Sequence, residues 1–199
     1  MTFARRQRAQ LVDLLREVGP FAETACEGWQ TQDLAAHLWI REHKPAALPG
    51  IGIKALSNVT ERMQRHALHA KGYLPILEDL ESPSWYMAPL DPLVNGVEWY
   101  VHHEDVRRPR GEKVELSDGE VRGLEKVAFA LAKKAQLESD HRLVVTPTGG
   151  SPRRFGKGSR TIYVEGPANE LVLHFSGREA DVVVTGDDVD RYRESLRGL

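Results

Sequence analysis

The segment Glu98–Asp105 brings together side chains that could bind a metal ion. It holds two imidazoles and three carboxylates within eight residues, EWYVHHED. In a helix, side chains four residues apart are neighbours on one face, which would place Glu98 beside His102. A second helix would have to supply another ligand, and His37 lies midway along such a helix. Two histidines and one carboxylate leave coordination positions open, and they suit Zn²⁺, Fe²⁺ or Ni²⁺ better than Ca²⁺.

The same residues also have a simpler interpretation. A Glu–His pair at this spacing is more often a solvated helix face, and a single histidine on an apolar stripe is more often a hydrogen-bonded core residue. No sharper motif such as HExxH decides between the two. His103 points about 100° away from His102 around a helix, so we expect it outside the ligand set. We expect Glu104 to face outward, toward Arg107 or Arg108.

Helices would have to position these groups, and hydrophobic periodicity predicts helices through the first 140 residues. The predicted helices cover about 2–18, 31–41, 53–71, 92–107 and 118–137, with a short helical piece at 75–80. Thr31 is the expected N-cap of the second helix. The composition of 44–52 and of the segment around 82–92 is typical of loops. Arg41, one turn beyond His37, is expected at a solvent-facing helix end, although it could also bind a carboxylate.

The pattern changes after Asp140. Short β-branched runs at 143–146, 161–165 and 181–185 predict strands, and a last helix is expected to begin at Asp187. Residues 170–175 fit either a helix or a strand. The sequence therefore predicts a mainly α protein, with a helical domain over 1–140 and a small α/β domain over 141–199.

Composition excludes several classes of partner. The 199 residues are 41% hydrophobic and 28% charged, with a formal net charge of −2, so nothing indicates nucleic acid or a membrane as a partner. No apolar run approaches the roughly 20 residues of a spanning helix, and no signal peptide is evident. Cys26 is the single cysteine, which excludes an internal disulfide and fits a cytoplasmic location. A reactive thiol there would require a lowered pKa.

Two longer motifs resemble those of a known family. Trp29–Leu38 (WQTQDLAAHL) leads into a helix with a Leu-x-x-His-Leu pattern, and Glu98–Asp105 reads Glu-x-x-x-His-x-x-Asp. Together they resemble the DinB-like and mycothiol-dependent maleylpyruvate isomerase family. The tail over 164–187 is similar to the small sterol-carrier-like α/β domain that often follows in that family. The segment 100–108 is most similar to an actinobacterial, metal-binding subgroup.

The resemblance implies an up-down four-helix bundle that binds a divalent metal through His37, Glu98 and His102. It implies zinc first, with nickel or iron as alternatives, and Asp105 as a hydrogen-bond acceptor that supports His102. In relatives the thiol of mycothiol is the nucleophile in isomerisation or S-transfer, so a small thiol is the expected cosubstrate. Several relatives have a basic residue where Asn95 stands, and maleylpyruvate is therefore not carried over as the substrate.

Other functions stay open on the sequence alone. A non-catalytic, metal-stabilised scaffold or a small-molecule-binding protein could use the same fold. The helices could also be purely structural, with incidental histidines. A homodimer is a further possibility that the sequence does not decide.

Overall fold

A computed structural model describes residues 1–44, 57–84, 95–137 and 139–196. Contacts between them divide the chain into two compact units, Met1–Val114 and Glu115–Leu199. Among these residues, no helix has both the length and the apolar character that a membrane span requires. The prediction of a mainly α protein with a small α/β part is confirmed, since helices dominate and one sheet of four strands is present among the described residues.

The described part of the first unit is helical. Its helices are α1 (Phe3–Val18), α2 (Thr31–His43), α3 (Ser57–Lys71), α4 (Tyr73–Leu80) and α5 (Gly96–Arg107), followed by a 3₁₀ turn (Arg108–Arg110). Where they are described, these bounds lie close to the predicted ones. The predicted helix starts at 53 and 92 lie outside the described residues, as do residues 45–52 of the loop predicted over 44–52, and residues 85–94.

Local side-chain contacts explain where α2 begins. The N-cap is Gln30 and not the predicted Thr31, because the Asp33 carboxylate accepts the Gln30 backbone N–H at 2.9 Å. The Thr31 hydroxyl instead donates to the carbonyl of Gly19 at 2.5 Å and accepts the N–H of Ala22 at 3.2 Å. The start of α2 is thereby tied to the connection that follows α1.

A shared apolar core holds the helices of the first unit together. α1 packs against α4 and α5, and α2 packs against α3 and α4. The core includes Leu11 of α1, Leu38 of α2, Leu77 of α4 and Trp99 of α5, each at most 1% exposed. Full burial of one such leucine stabilises the fold by about 1.5–3 kcal/mol. The core therefore fixes both α2 and α5, the helices that contain the predicted ligands.

The second unit combines three helices with a mixed sheet among its described residues. The elements are α6 (Asp118–Leu137), β1 (Arg142–Pro147), β2 (Arg153–Phe155), β3 (Thr161–Gly166), α7 (Ala168–Phe175), β4 (Val183–Gly186) and α8 (Val189–Leu196). The strand order is β2-β1-β3-β4, with the central pair parallel and both outer pairs antiparallel. Residues 170–175, for which the sequence allowed helix or strand, are part of α7.

The two packing units and the two predicted domains differ in which of them contains α6. α6 packs against α7, β1 and β2, and buries Leu124, Ala128 and Phe129. The contacts therefore place it in the second unit, which begins at Glu115, whereas the predicted boundary at 140 places it in the first domain. The prediction followed the change from helical to strand periodicity, and periodicity does not show which neighbours a helix packs against.

A buried histidine joins the last two helices. Nε2 of His174 on α7 lies 2.9 Å from the hydroxyl of Tyr192 on α8, and both side chains are buried. Burial, with a contribution from the positive charge of Arg193, lowers the pKa of His174 to about 4. The imidazole is therefore neutral near pH 7, and acidification would place an unfavourable charge in this contact.

Candidate metal centre

Helices α2 and α5 bring His37, Glu98 and His102 together. One candidate ligand atom from each side chain lies within 4.8 Å of the other two. Nε2 of His102 is 3.5 Å from Oε2 of Glu98, and the rings of His37 and His102 meet edge to face with centroids 5.2 Å apart. Zinc bonds of about 2.0–2.1 Å in a tetrahedron place nitrogen and oxygen ligands about 3.3 Å apart. The 3.5 Å between the His102 and Glu98 atoms is close to that spacing, and the limit of 4.8 Å means that no other pair would have to approach by more than about 1.5 Å to hold one ion.

Two of these three side chains are buried, and the third is partly exposed. His37 is 8% exposed and His102 is 5% exposed, while the side chain of Glu98 is 36% exposed. The indole of Trp29, which opens the family-like motif, lies 5.2 Å from the His37 ring. Glu98 is thus the member of the cluster that solvent or a small molecule can reach.

Asp105 orients the His102 ring. Its Oδ2 lies 2.9 Å from Nδ1 of His102, and its side chain is completely buried. A carboxylate can only accept here, so Nδ1 carries a hydrogen and donates it. This hydrogen bond selects Nε2, the atom nearest Glu98, as the nitrogen that would bind a metal.

Gln64 on α3 supports His37, and sequence reasoning missed it. Its amide nitrogen lies 3.1 Å from Nδ1 of His37, and the side chain is buried. Metal binding through Nε2 would require Nδ1 to donate, so the Gln64 amide would have to turn its oxygen toward the ring. No sequence pattern connects the two residues, which are 27 positions apart.

The positive charge beside Glu98 comes from Arg41. The expectation that Arg41 lies at a solvent-facing helix end was wrong, because α2 continues to His43 and Arg41 is only 5% exposed. Its Nε is 3.8 Å from Oε2 of Glu98, and its Nη1 donates to Oδ1 of Asn95 at 2.6 Å. The positive charge of the buried guanidinium is therefore compensated by the Glu98 carboxylate and by the Asn95 amide oxygen.

Both candidate ligands on α5 have strongly shifted pKa values. Burial would raise the pKa of Glu98, but the hydrogen bond from His102 and the charge of Arg41 outweigh it and lower the pKa to about 2. Burial would lower the pKa of His102, but hydrogen bonds to Asp105, Cys26 and Glu98 outweigh it and raise the pKa well above 6.5. Glu98 is thus an anionic ligand at neutral pH, and a metal ion would compete with a proton for His102.

Cys26 forms a second cluster with Asp105 and His102. Its thiol donates to Oδ2 of Asp105 at 3.2 Å, and the backbone N–H of Ala25 donates to the carbonyl oxygen of Asp105 at 2.7 Å. Candidate ligand atoms of Cys26, His102 and Asp105 also lie within 4.8 Å of one another. The sequence placed Cys26 just before α2, with no indication of these neighbours.

The structure separates the adjacent His103 and Glu104 from the candidate ligands. His103 contacts Gln7 at 2.9 Å and accepts from Nε of Arg107 at 2.9 Å; burial, with the charge of Arg107, lowers its pKa to about 3. Glu104 does pair with Arg108, as predicted, at 2.5 Å. The expectation that Glu104 faces outward was wrong, because it is only 1% exposed and its ion pair compensates the buried charge.

Two further histidines on α3, His66 and His69, are exposed. His66 lines a cavity of about 390 Å³, together with Trp39 of α2 and Met63 of α3. None of the candidate metal ligands is among the described residues that line this cavity. The two histidines therefore have no part in the candidate centre.

Two solved structures match nearly the whole chain. The crystal structure of the mycothiol-dependent maleylpyruvate isomerase matches with a TM-score of 0.55 and 16% identity, over 93% of this chain and 90% of that chain. A histidine-to-alanine mutant of the mycothiol-dependent maleylpyruvate isomerase matches with a TM-score of 0.52 and 13% identity, over 92% and 88%. No family model and no curated protein matches the sequence. The chain thus shares the overall fold of this isomerase, whose family the two motifs resemble.

Proposed function

We propose that this chain is a divalent-metal-dependent isomerase or S-transferase that acts on a small molecule, with a thiol such as mycothiol as cosubstrate. His37, Glu98 and His102 would bind the metal. The main support is that their candidate ligand atoms lie within 4.8 Å of one another. The three side chains come from α2 and α5, and one apolar core fixes both helices. Zinc is the favoured ion, with nickel or iron as alternatives, because imidazole and carboxylate ligands suit all three.

The other residues of the cluster have roles that follow from their contacts. Asp105 would hold the Nδ1 proton of His102 and keep the ring in place, since the two lie 2.9 Å apart. Arg41 would balance the charge of Glu98 from 3.8 Å. The bound ion would supply Lewis acidity and lower the pKa of a coordinated water or thiol. The partial exposure of Glu98 would give a small molecule access to it.

The proposal includes the finer architecture implied by the family resemblance. α1, α2, α3 and α5 would be the long helices of an up-down four-helix bundle, and the small α/β part would be sterol-carrier-like. A thiol cosubstrate is supported by the fold shared with the mycothiol-dependent maleylpyruvate isomerase. A cytoplasmic location and a homodimer remain part of the proposal.

Elemental analysis of the purified protein tests the metal. We expect about one equivalent of a divalent ion per chain, as a single two-His, one-carboxylate set would hold. His37→Ala and His102→Ala should lose the ion, because each substitution removes a ligand. His66→Ala is the matched control, since His66 is an exposed histidine of α3 that has no part in the cluster. Full metal retention by both site variants would refute the assignment.

A metal-stabilised scaffold is the second candidate function. It is favoured by one observation: the ligands come from both α2 and α5, so an ion would tie the two helices together and oppose unfolding. Turnover of thiol adducts of small electrophiles by the metal-loaded protein would support the enzyme. A large rise in melting temperature on metal addition, with no turnover across such a panel, would support the scaffold.

A further inference from the structure

We propose that Cys26, Asp105 and Nδ1 of His102 form a second ligand set, which binds a soft divalent ion such as Cd²⁺. It uses the other ring nitrogen of His102 and contains the chain's single thiol. This inference goes beyond the proposed function, since it needs neither the thiol cosubstrate nor a catalysed reaction.

The distances in this cluster are close to those of a metal site. Oδ2 of Asp105 lies 2.9 Å from Nδ1 of His102 and 3.2 Å from Sγ of Cys26. Zinc bonds of about 2.0 Å to nitrogen and oxygen and about 2.3 Å to sulfur give tetrahedral edges of about 3.3 and 3.5 Å. These two edges would therefore have to open by only about 0.4 and 0.3 Å, and somewhat more for the larger Cd²⁺.

Hydrogen bonds of the segment around Cys26 hold its thiol in place. The Cys26 N–H donates to the hydroxyl oxygen of Thr24 at 3.2 Å, and that hydroxyl donates to the carbonyl of Trp29 at 2.8 Å. The neighbouring Ala25 N–H is bonded to the backbone of Asp105. These contacts fix the turn against α5, so that little ordering would be needed when an ion binds.

Protons and charges balance when a divalent ion replaces the hydrogens in this cluster. In the metal-free cluster, two hydrogens, from the Cys26 thiol and from Nδ1 of His102, point at one carboxylate oxygen. Binding of a divalent ion would release to solvent the thiol proton of Cys26 and the Nδ1 proton of His102. The ring would keep its Nε2 proton, for which Glu98 is the acceptor 3.5 Å away. Thiolate and carboxylate then neutralise the two charges of the ion.

The two ligand sets exclude each other because they share His102. A neutral imidazole offers one lone pair, so binding through Nδ1 places the proton on Nε2 and removes that atom from the set with His37 and Glu98. Thiolate favours soft ions, whereas imidazole and carboxylate suit harder first-row ions. The identity of the ion would therefore decide which set is occupied.

A Cd²⁺ titration, followed by the ultraviolet charge-transfer band of the cadmium–thiolate bond, tests the proposal. Because Cys26 is the chain's single cysteine, the band reports on it alone. We expect the band to saturate at one ion per chain in the wild type, and to persist in His37→Ala. Asp105→Asn should weaken the apparent affinity about tenfold or more, since one ligand loses its charge.

The variants also separate this proposal from the proposed function. Cys26→Ser should lose the band and still bind one ion through the set with His37 and Glu98. A Cys26→Ser protein that binds no ion would support the thiolate set and contradict the proposed metal centre. A wild type that binds Cd²⁺ without the band, or an unchanged affinity in Asp105→Asn, would overturn the thiolate set.

Discussion

The support that Asp105 gives to His102 can be measured as metal affinity. Asp105→Asn keeps the shape of the side chain but replaces a charged acceptor, 2.9 Å from Nδ1, with a neutral one. The imidazole then becomes a weaker ligand. Loss of such a partner costs about 10- to 100-fold in metal affinity, or about 1.4–2.7 kcal/mol. We expect the upper half of that range, because the carboxylate is completely buried and water cannot replace it.

The measurement is a competition for Zn²⁺ with a chromogenic chelator at fixed pH. It is made in a Cys26→Ser background, so that the thiol cannot contribute a ligand. Asp79→Asn is the matched control: Asp79 accepts from Trp39 at 2.6 Å, in the same unit, and is no member of either cluster. It should leave the zinc affinity unchanged.

The reasoning is refuted if Asp105→Asn binds Zn²⁺ within about twofold of its parent, a difference well below the expected range. His102 would then not depend on this hydrogen bond for its orientation. An equal loss in Asp79→Asn would also count against it, since that result would indicate a general loosening of the fold.

Stability offers three further predictions, each read from urea unfolding. Leu38→Ala should lower the free energy of unfolding by about 2–5 kcal/mol, because Leu38 is 1% exposed, whereas Leu74→Ala, at a residue 61% exposed, should change it by less than about 0.5 kcal/mol. Gly186→Ala should cost more than about 3 kcal/mol, since φ is 122° and a Cβ would lie 2.1 Å from a carbonyl oxygen; Gly149→Ala, with φ of 73° and open space, should cost about 1–2 kcal/mol. His174 has a folded-state pKa of about 4, below its ordinary 6.5, so its contribution is complete above pH 6.5 and is lost as the pH falls toward 4. That loss is about 3 kcal/mol, and His174→Gln should not show it.

A long helix could be predicted where apolar residues recur at helical spacing over several turns. α1 is an example, since its buried positions recur at helical spacing from Ala4 to Leu15. The ligand pair on α5 followed from the same geometry. The start of α2 was less predictable, because Thr31 is a preferred cap by type but its hydroxyl bonds Gly19 and Ala22 outside the helix, and Gln30 is the N-cap.

Burial of charged residues on α5 could not be predicted from its pattern. Nine of its twelve residues are buried, so no polar stripe shows which face meets solvent. Glu104 was expected outside because an uncompensated carboxylate is costly to bury. Its compensation comes from Arg108 and from the backbone N–H of Val114, and only the folded chain brings that N–H within 2.8 Å.

A chain of buried polar contacts surrounds Asn95 and favours a neutral side chain there. Arg8 of α1 pairs with Glu42 of α2, Asn95 lies 3.5 Å from the same Glu42 oxygen, and Asn95 accepts from Arg41. A basic side chain at 95 would meet Arg41 at close range in a buried site, which is unfavourable for two like charges. The neutral amide instead accepts from Arg41 while Arg41 stays 3.8 Å from Glu98. The positive charge at the candidate centre is therefore supplied from α2, and recognition of an anionic group would depend on Arg41 and not on residue 95.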